Sequence, residues 1–166
     1  GTPMIKITLE RVSPQQRDTL FRMLQYSLFE ESLTDLNEMN DEALFEYPWF
    51  DLYFTEADRE ACFIREADSR KLLGFAMINT HVQKSEKGHS IAEFMVIPKY
   101  RGRGIGKRAA MACFDKHGGR WEVTPSFGSR AAREFWKQVI DQYTGENNTP
   151  TDGTFCFFRR NRHDTQ

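Results

Sequence analysis

Residues 89–110 constrain the fold of this chain more than any other stretch. An apolar run from Ile91 to Ile97 stops at Pro98, a basic glycine-rich turn follows, and helical spacing begins at Ile105. This pattern predicts a strand, a loop and a helix. Glycines in the turn let the backbone approach a ligand closely, and the first free N–H groups of the helix point into the loop. We therefore expect the loop to bind an anion such as a pyrophosphate.

Basic side chains accompany this loop and would add charge-assisted donors to a phosphate. They are Arg101, Arg103, Lys107 and Arg108. A dinucleotide fingerprint also fits Gly104, Gly106 and Ala109, but that motif opens a helix directly after the first strand of a βαβ unit, and here a loop intervenes. A Walker P-loop fails because positions 101 and 108 are both arginine. A basic surface turn or a nucleic-acid contact stays open.

The motif Arg101-Gly102-Arg103-Gly104-Ile105-Gly106 resembles the acyl-CoA signature of the Gcn5-related N-acetyltransferase (GNAT) family. Further along, Ser129 to Trp136 is similar to a later helix of that family. The order of the predicted elements gives a mixed α/β fold. The resemblance implies that its central sheet is mostly antiparallel, splayed after the fourth strand and flanked by helices, with acetyl-CoA as co-substrate and its pantetheine arm in the gap.

The resemblance also assigns residues to the cofactor. Backbone groups around Met95 and Val96 would pair with the pantetheine and polarise the thioester carbonyl. Ser129 would bond the cofactor, although a helix N-cap is its other interpretation. The full set that we expect to bind acetyl-CoA is Met95, Val96, Arg101, Gly102, Arg103, Gly104, Ile105, Gly106, Lys107, Ser129 and Trp136.

Acetyl transfer to an amine needs a neutral amine, a donor to the developing oxyanion and a proton for the leaving thiolate. Glu93 is the first candidate for the base, because it lies two residues before Met95 on the same strand and so on the same face. An exposed or ion-paired glutamate is the alternative interpretation. His89, a base relayed by water, and no base at all stay open.

The general acid departs from the family pattern. Many members place a tyrosine where this chain has Trp136, and an indole does not donate a proton at neutral pH. Tyr143 is our candidate for the acid, with Tyr100, Tyr53 and solvent as alternatives. The histidines have no partners at ligand spacing along the sequence, so we expect no metal.

Charge is distributed unevenly. Residues 30–60 hold eleven acids and one base, whereas residues 99–162 hold thirteen Lys and Arg and six acids. Each excess alone is typical of a solvated face. Together they fit a site with two substrates, a polyanionic cofactor on the basic side and a cationic acceptor on the acidic side. Asp41, Asp51 and Glu56 are candidate contacts to that acceptor.

The whole chain bounds the function further. Its 166 residues predict a single domain spanning 1–166, with residues 1–3 as an expression remnant and residues 161–166 as a loose tail. A formal net charge of −1 argues against nucleic-acid and membrane partners. Three widely spaced cysteines indicate buried thiols in a reducing compartment. No apolar stretch approaches about 18 residues, so we expect a cytoplasmic protein.

The remaining elements follow from local signals. We expect a strand over 4–12, a helix from Ser13 to about Glu31, short helices at 41–45 and 50–54, a hairpin turning at 68–70, a glycine cap at 118–119, a strand at 121–124, a helix from Ser129 to about Gln142 and a strand at 155–158.

These observations predict an acetyl-CoA-dependent N-acetyltransferase that acts on a primary amine of a small molecule or peptide. The alternative is a non-catalytic acyl-CoA-binding or sensor domain, which the tryptophan at position 136 favours. A nucleotide- or nucleic-acid-binding module is the third hypothesis. GNAT domains commonly dimerise, so a homodimer stays open.

Overall fold

The structure is a computed structural model that describes residues 4–159. The expression remnant and the tail predicted at the two ends lie outside those residues. The α-helices and strands among them, in chain order, are β1 Ile7–Arg11, α1 Arg17–Glu31, β2 Arg59–Glu66, β3 Leu72–Asn79, β4 His89–Val96, α2 Ile105–Lys116, β5 Gly119–Val123, α3 Arg130–Thr144, β6 Thr149–Thr151 and β7 Thr154–Arg159.

All of these strands form one sheet in the order β1-β2-β3-β4-β5-β7-β6. Every neighbouring pair is antiparallel except β4 and β5, which run parallel. The mixed, mostly antiparallel sheet predicted from the sequence is therefore confirmed. No helix within residues 4–159 is long and apolar enough to cross a membrane.

The sheet opens between β4 and β5. The two strands pair only from His89 opposite Trp121 to Ile91 opposite Val123, where β5 ends. Strand β4 continues to Val96 with β3 on one side and, within residues 4–159, no strand on the other. The splay after the fourth strand is therefore confirmed, and it leaves a gap along the second half of β4.

A bulge in β4 lies where the gap begins. Ile78 of β3 is opposite Ile91, but the preceding Met77 is opposite Glu93, so Ala92 is an extra residue in β4. Such a bulge reverses the alternation of side chains beyond it. Ile91 consequently packs in the core under α2 and α3, whereas Met95 packs in the core under α1. Glu93 shares the face of Met95, as the sequence predicted.

Helices cover both faces of the sheet. The apolar stripe of α1, including Leu20 and Leu24, packs with a short 3-10 helix at Phe50–Phe54 on one face. On the other face, Phe114 of α2 and Ile140 of α3 pack against Trp121 of β5. The three cysteines are buried and unpaired, as expected from their apolar surroundings.

Two helix starts match their local sequence signals. Ser13 N–H donates to Gln16 Oε1 at 3.0 Å, which forms part of a capping box ahead of a 3-10 turn and α1. At α3, Ser129 Oγ accepts from Ala132 N–H at 3.1 Å. These caps depend on residues close in sequence, which explains why they could be predicted.

The helix predicted at 41–45 is wrong. The Asn40 side chain accepts from the N–H groups of Glu42 at 2.9 Å and Leu44 at 3.1 Å, and Met39 forms a β-bridge with Phe45. An asparagine that bonds nearby backbone groups in this way competes with a helix and favours a turn. This segment is therefore a tight turn that carries acids outward.

The glycine cap predicted at 118–119 is also wrong. Helix α2 ends at Lys116, and His117 is already extended with φ −138°. Gly119 instead begins β5, with φ +89°. A cap that places a glycine in the left-handed region directly after the helix therefore does not form here.

Gly74 sets the close approach of β3 to β4. A Cβ on Gly74 would lie 2.1 Å from the Met95 carbonyl oxygen. We expect Gly74→Ala to destabilise the fold by about 1–3 kcal/mol or more, which corresponds to a fall in Tm of about 2–12 °C for a chain of this length. A thermal melt followed by circular dichroism measures it. An unchanged Tm would contradict the close packing of the two strands.

Candidate active site

A cleft of about 850 Å³ occupies the gap beside β4. The C-terminal end of α1 forms one side, and the β5–α3 loop with the start of α3 forms another. The loop that precedes α2 closes one end. The cleft therefore lies where the predicted anion-binding loop, the open edge of β4 and the acidic N-terminal third of the chain meet.

The loop before α2 leaves the helix N-terminus open. Gly104 is the N-cap in the left-handed region with φ +78°, and no side chain caps the helix. Gly102 also has a positive φ of +80°, and a Cβ on either glycine would meet nothing within 4 Å. The first N–H groups of α2 are thus available to an anion, and Lys107 lines the same end of the cleft.

The third glycine of the motif has a packing role. A Cβ on Gly106 would lie 3.1 Å from the Phe135 ring of α3, so glycine lets the two helices approach closely. The neighbouring Ile105 is buried with Val96 and Ala109, and its side chain does not line the cleft. Ile105 therefore supports the loop from the core.

Arg101 joins three elements. Its guanidinium donates to both carboxylate oxygens of Glu30, at 3.1 and 2.8 Å, and its Nε donates to the Val96 carbonyl at 2.8 Å. These hydrogen bonds hold the pKa of Glu30 below its ordinary value. The side chain of Arg101 thus ties the end of α1 and the end of β4 to the loop. Arg103, in contrast, is exposed and does not line the cleft.

The backbone N–H and C=O groups of β4 point alternately to the two sides of the strand. Ile97 N–H donates to Leu73 O at 2.8 Å, so in this antiparallel pair the residues opposite Leu73 and Phe75 bond to β3. Met95 is opposite Phe75 and directs its N–H and C=O to β3. The backbone groups of Phe94 and Val96 point the other way, into the cleft. Of the expected pair, Val96 rather than Met95 offers its N–H there.

Two acids meet at the other end of the cleft. Glu93 of β4 and Glu31 of α1 both line it, and the two carboxyl groups interact electrostatically. Burial raises the pKa of Glu93 well above the ordinary value, and the negative charge of Glu31 raises it further. Burial and the charge of Asp35 likewise raise the pKa of Glu31. The two groups titrate as a coupled pair that favours holding a proton.

Tyrosines lie behind this pair. The Tyr47 hydroxyl interacts electrostatically with the Glu93 carboxyl and the Tyr53 hydroxyl, and Asn79 Nδ2 donates to Tyr53 at 3.0 Å. Burial and the adjacent Glu93 raise the pKa of Tyr47, so its hydroxyl stays protonated and acts as a donor. The aromatic side chains of residues 45–54 therefore pack mainly in the core. Among them, Tyr47 orients Glu93.

The comparisons with known proteins decide the family. The model of the acetyltransferase (GNAT) family matches residues 25–140, which is most of the chain. This chain belongs to the GNAT acetyltransferase family. The match includes every residue that lines the cleft, from Ser27 in α1 to Gln138 in α3.

Solved structures share the fold. An acetyltransferase from Thermus thermophilus is similar at a TM-score of 0.61 and 14% identity, covering 95% of this chain and 99% of that one. A spermidine N-acetyltransferase from Vibrio cholerae, in complex with CoA and spermine, is similar at 0.60 and 8%, covering 93% and 96%. A ribosomal-protein-alanine N-acetyltransferase from Brucella melitensis biovar Abortus 2308 is similar at 0.56 and 13%, covering 80% and 89%. No curated protein sequence matches this chain.

The GNAT cleft lacks the predicted acid. Tyr143 donates to Asp115 at 2.6 Å and does not line the cleft. Burial, together with that acceptor, raises the pKa of Tyr143, so it is a poor proton donor as well as misplaced. Among the described residues that line the cleft there is no tyrosine. Trp136 does line it, and packs edge-on against Phe94 at 5.1 Å.

The other residues that the sequence suggested for the site lie outside the cleft. His89 stacks on His117 with ring centroids 4.0 Å apart and does not line the cleft. Asp51 accepts from Arg17 at 2.6 Å, and Glu56 accepts from Arg59 at 2.6 Å. Neither these two acids nor the exposed Asp41 lines the cleft.

His81 has neighbours that its position in the sequence did not indicate. Glu56, Asp58 and His81 bring one ligand atom each within 4.8 Å of one another. All three groups already have partners: His81 Nε2 lies 3.2 Å from Asp58, and Arg59 donates to Glu56. The group is therefore an ion-pair cluster, away from the cleft.

Sequence reasoning did not predict the contacts that Glu30, Glu31 and Tyr47 make at or beside the cleft. Each acts through a partner far away along the chain, namely Arg101 for Glu30 and Glu93 for the other two. A local pattern contains no signal for such contacts. The only available hint was the position of Glu30 and Glu31 at the start of the acidic stretch.

The raised pKa of Glu93 predicts a pH-dependent stability effect. Below about pH 4 the residue is protonated in the folded and the unfolded chain, whereas at higher pH its ionisation costs the folded chain more. We therefore expect the Tm of Glu93→Gln, relative to that of the parent, to rise between pH 4 and pH 8. The rise should be about 2–4 °C for each kcal/mol of unfolding free energy that the parent loses over this range. Thermal melts across that range test it. A relative Tm independent of pH would contradict the coupled pair.

Proposed function

We propose that this protein transfers an acetyl group from acetyl-CoA to the primary amine of a cationic acceptor. The observation that carries the proposal is the order of groups along one cleft. An uncapped helix N-terminus with Lys107 lies at one end, unpaired backbone groups of β4 lie in the middle, and the Glu31–Glu93 pair lies at the other end.

The cleft residues fit acetyl-CoA in chemistry. The N–H groups at the start of α2 and the ammonium of Lys107 suit a pyrophosphate. The unpaired N–H and C=O groups of Phe94 suit the amides of the pantetheine, because they can extend the sheet with a ligand in place of a strand. When bound, acetyl-CoA supplies a thioester that an amine can attack.

Glu93 is the proposed base. An acceptor amine arrives mainly as an ammonium ion and must lose a proton before its nitrogen can form the new C–N bond. A carboxyl whose pKa is raised by burial accepts that proton more readily than an ordinary one. Glu31 raises the proton affinity of Glu93, and Tyr47 orients it.

The remaining steps need little from side chains. Val96 N–H points into the cleft and would donate to the carbonyl oxygen as negative charge develops there. After the C–N bond forms, the nitrogen would lose its second proton, and as the C–S bond breaks the thiolate would take up a proton through water, so that these two transfers balance. An ordinary thiol has a pKa of about 8.5, so a thiolate is a tolerable leaving group near neutral pH without a dedicated acid.

A cationic acceptor is supported by the charges beside the base. Glu31, Asp35 and Glu93 act on one another electrostatically, and a cation among them would relieve their repulsion. Among the similar structures, one is named as a spermidine N-acetyltransferase and another as a ribosomal-protein-alanine N-acetyltransferase. Both names describe amine acceptors.

Lys107 and Arg103 form a matched pair for testing cofactor binding. Both were predicted to contact acetyl-CoA, but only Lys107 lines the cleft. We expect Lys107→Ala to weaken acetyl-CoA binding about 10- to 100-fold, the loss of one charge-assisted contact, and Arg103→Ala to weaken it less than about 3-fold. Titration calorimetry with acetyl-CoA and CoA measures both. If the two variants lose the same affinity for acetyl-CoA, or if the parent does not bind it, this placement of the cofactor is wrong.

The coupled pair predicts how the rate depends on pH. We expect kcat/KM to rise with pH through an apparent pKa above that of an ordinary carboxyl, and Glu93→Gln to lower kcat about 10²- to 10⁴-fold. Glu31→Gln removes the charge that raises the pKa of Glu93, so the rising limb should move to lower pH. Thiol release from acetyl-CoA over a panel of amines measures these rates. Tight acetyl-CoA binding without transfer to any amine would instead support the sensor hypothesis.

A further inference from the structure

Large apolar side chains face solvent at the end of α1, in the turn that follows it and in the β5–α3 loop, segments that also contribute residues to the cleft. Leu33, Leu36 and Phe127 are 90%, 92% and 92% exposed, and Phe29, one turn before Leu33, is 65% exposed. We call these four residues the apolar rim. Exposed apolar groups that cluster in this way mark surfaces that bind a partner.

The apolar rim includes residues from two segments that border the cleft, and these two segments are in contact. A Cβ on Gly128 of the β5–α3 loop would lie 3.3 Å from Thr34 Cβ, in the turn after α1. Leu33 directly precedes Thr34, and Phe127 directly precedes Gly128. Both of the contacting segments therefore carry an exposed apolar side chain. Leu33 and Thr34 also line the cleft, which makes the rim continuous with the site that holds Glu93.

Charge around the rim is of one sign. From Met23 to Asp58 the chain holds ten acids and no Lys, Arg or His. The turn that follows Leu36 exposes several of these acids to solvent, namely Glu38, Asp41, Glu42 and Glu46. None of these four lines the cleft. A molecule that contacts them while its amine lies at Glu93 must therefore extend out of the cleft across the rim.

We infer that the acceptor is a peptide segment whose amine enters the cleft, with apolar side chains next to the amine and basic side chains further along. This inference rests on the proposed acetyl transfer for the role of the amine. A compact amine that fits inside the cleft would leave the rim and the exposed acids without contacts. A basic peptide with apolar residues matches both in chemistry and in charge.

Peptide binding tests the inference apart from catalysis. Short peptides are labelled at the C-terminus and titrated by fluorescence anisotropy into protein saturated with CoA. One series has a free N-terminus and no lysine, and the other has a blocked N-terminus and one lysine. Within each series, the residue beside the amine is either Leu or Ser. The other positions are filled either with Arg or with Glu. We expect the Leu/Arg peptide of at least one series to bind at least about tenfold more tightly than the Ser and Glu forms.

Rim variants identify the surface. Phe127→Ser and Leu36→Ser should each weaken binding of the Leu/Arg peptide about tenfold, while turnover of ethylamine stays unchanged. Phe158→Ser is the matched control, because Phe158 is 70% exposed on β7 and does not line the cleft, and its removal should change neither quantity. Glu38→Gln together with Glu42→Gln should weaken binding of the Arg peptides and make it less sensitive to salt.

The outcomes separate two failures. If no amine is acetylated but the Leu/Arg peptide binds through the rim, the proposed transfer fails and the docking surface stands. If amines are acetylated but the rim variants bind every peptide as the parent does, the docking surface is overturned. It is also overturned if sedimentation shows a parent dimer that Phe127→Ser and Leu36→Ser dissociate, because a second copy of this chain would then cover the rim.

Discussion

The loss of a neighbour along β4 is the constraint on which the site depends. Pairing with β5 ends at Ile91 opposite Val123, and the bulge at Ala92 occupies the next position. Beyond this point the backbone of β4 has hydrogen-bonding groups on its open side that no strand satisfies. Unpaired backbone groups are costly when they are buried, so they are retained where water or a ligand can reach them. The bulge also places Glu93 on the face of the sheet that α1 covers, opposite Glu31.

The acid pair holds negative charge that a third, positive charge would stabilise. Burial raises the pKa of both carboxyl groups, and neighbouring negative charge, from Glu31 on Glu93 and from Asp35 on Glu31, raises the two pKa values further. Under the proposed function, an arriving ammonium lowers these pKa values and favours ionisation while it is bound. Once the amine has given up its proton and its charge, the pair regains its preference for a proton. The same repulsion that weakens the fold therefore drives proton transfer in the direction that the reaction needs.

How much the sequence predicted follows from the distance between the partners. The strand–loop–helix unit at residues 89–110, the Ser129 cap and the described strands other than the short β6 come from signals within a few residues, and these were predicted. The Arg101–Glu30 ion pair joins residues 71 positions apart, and no periodicity encodes it. The turn at Asn40 was mistaken for a helix because a side-chain acceptor outcompeted helical hydrogen bonds. Local sequence thus indicated the loop before α2 at one end of the cleft, whereas the acid pair at the other end required tertiary structure.

Trp136 illustrates how packing and chemistry can exchange roles at one position. Its ring packs against Phe94 at 5.1 Å and Phe135 at 5.0 Å, so it forms an apolar wall between α3 and the open part of β4. Under the proposed function, such a wall would keep water away from the thioester and strengthen the interaction between Val96 N–H and a developing charge. A tyrosine hydroxyl at the same place would require a partner of its own. Since a thiolate can leave without a dedicated acid but an ammonium cannot react until it loses a proton, the proposed chemistry depends more on Glu93 than on any proton donor.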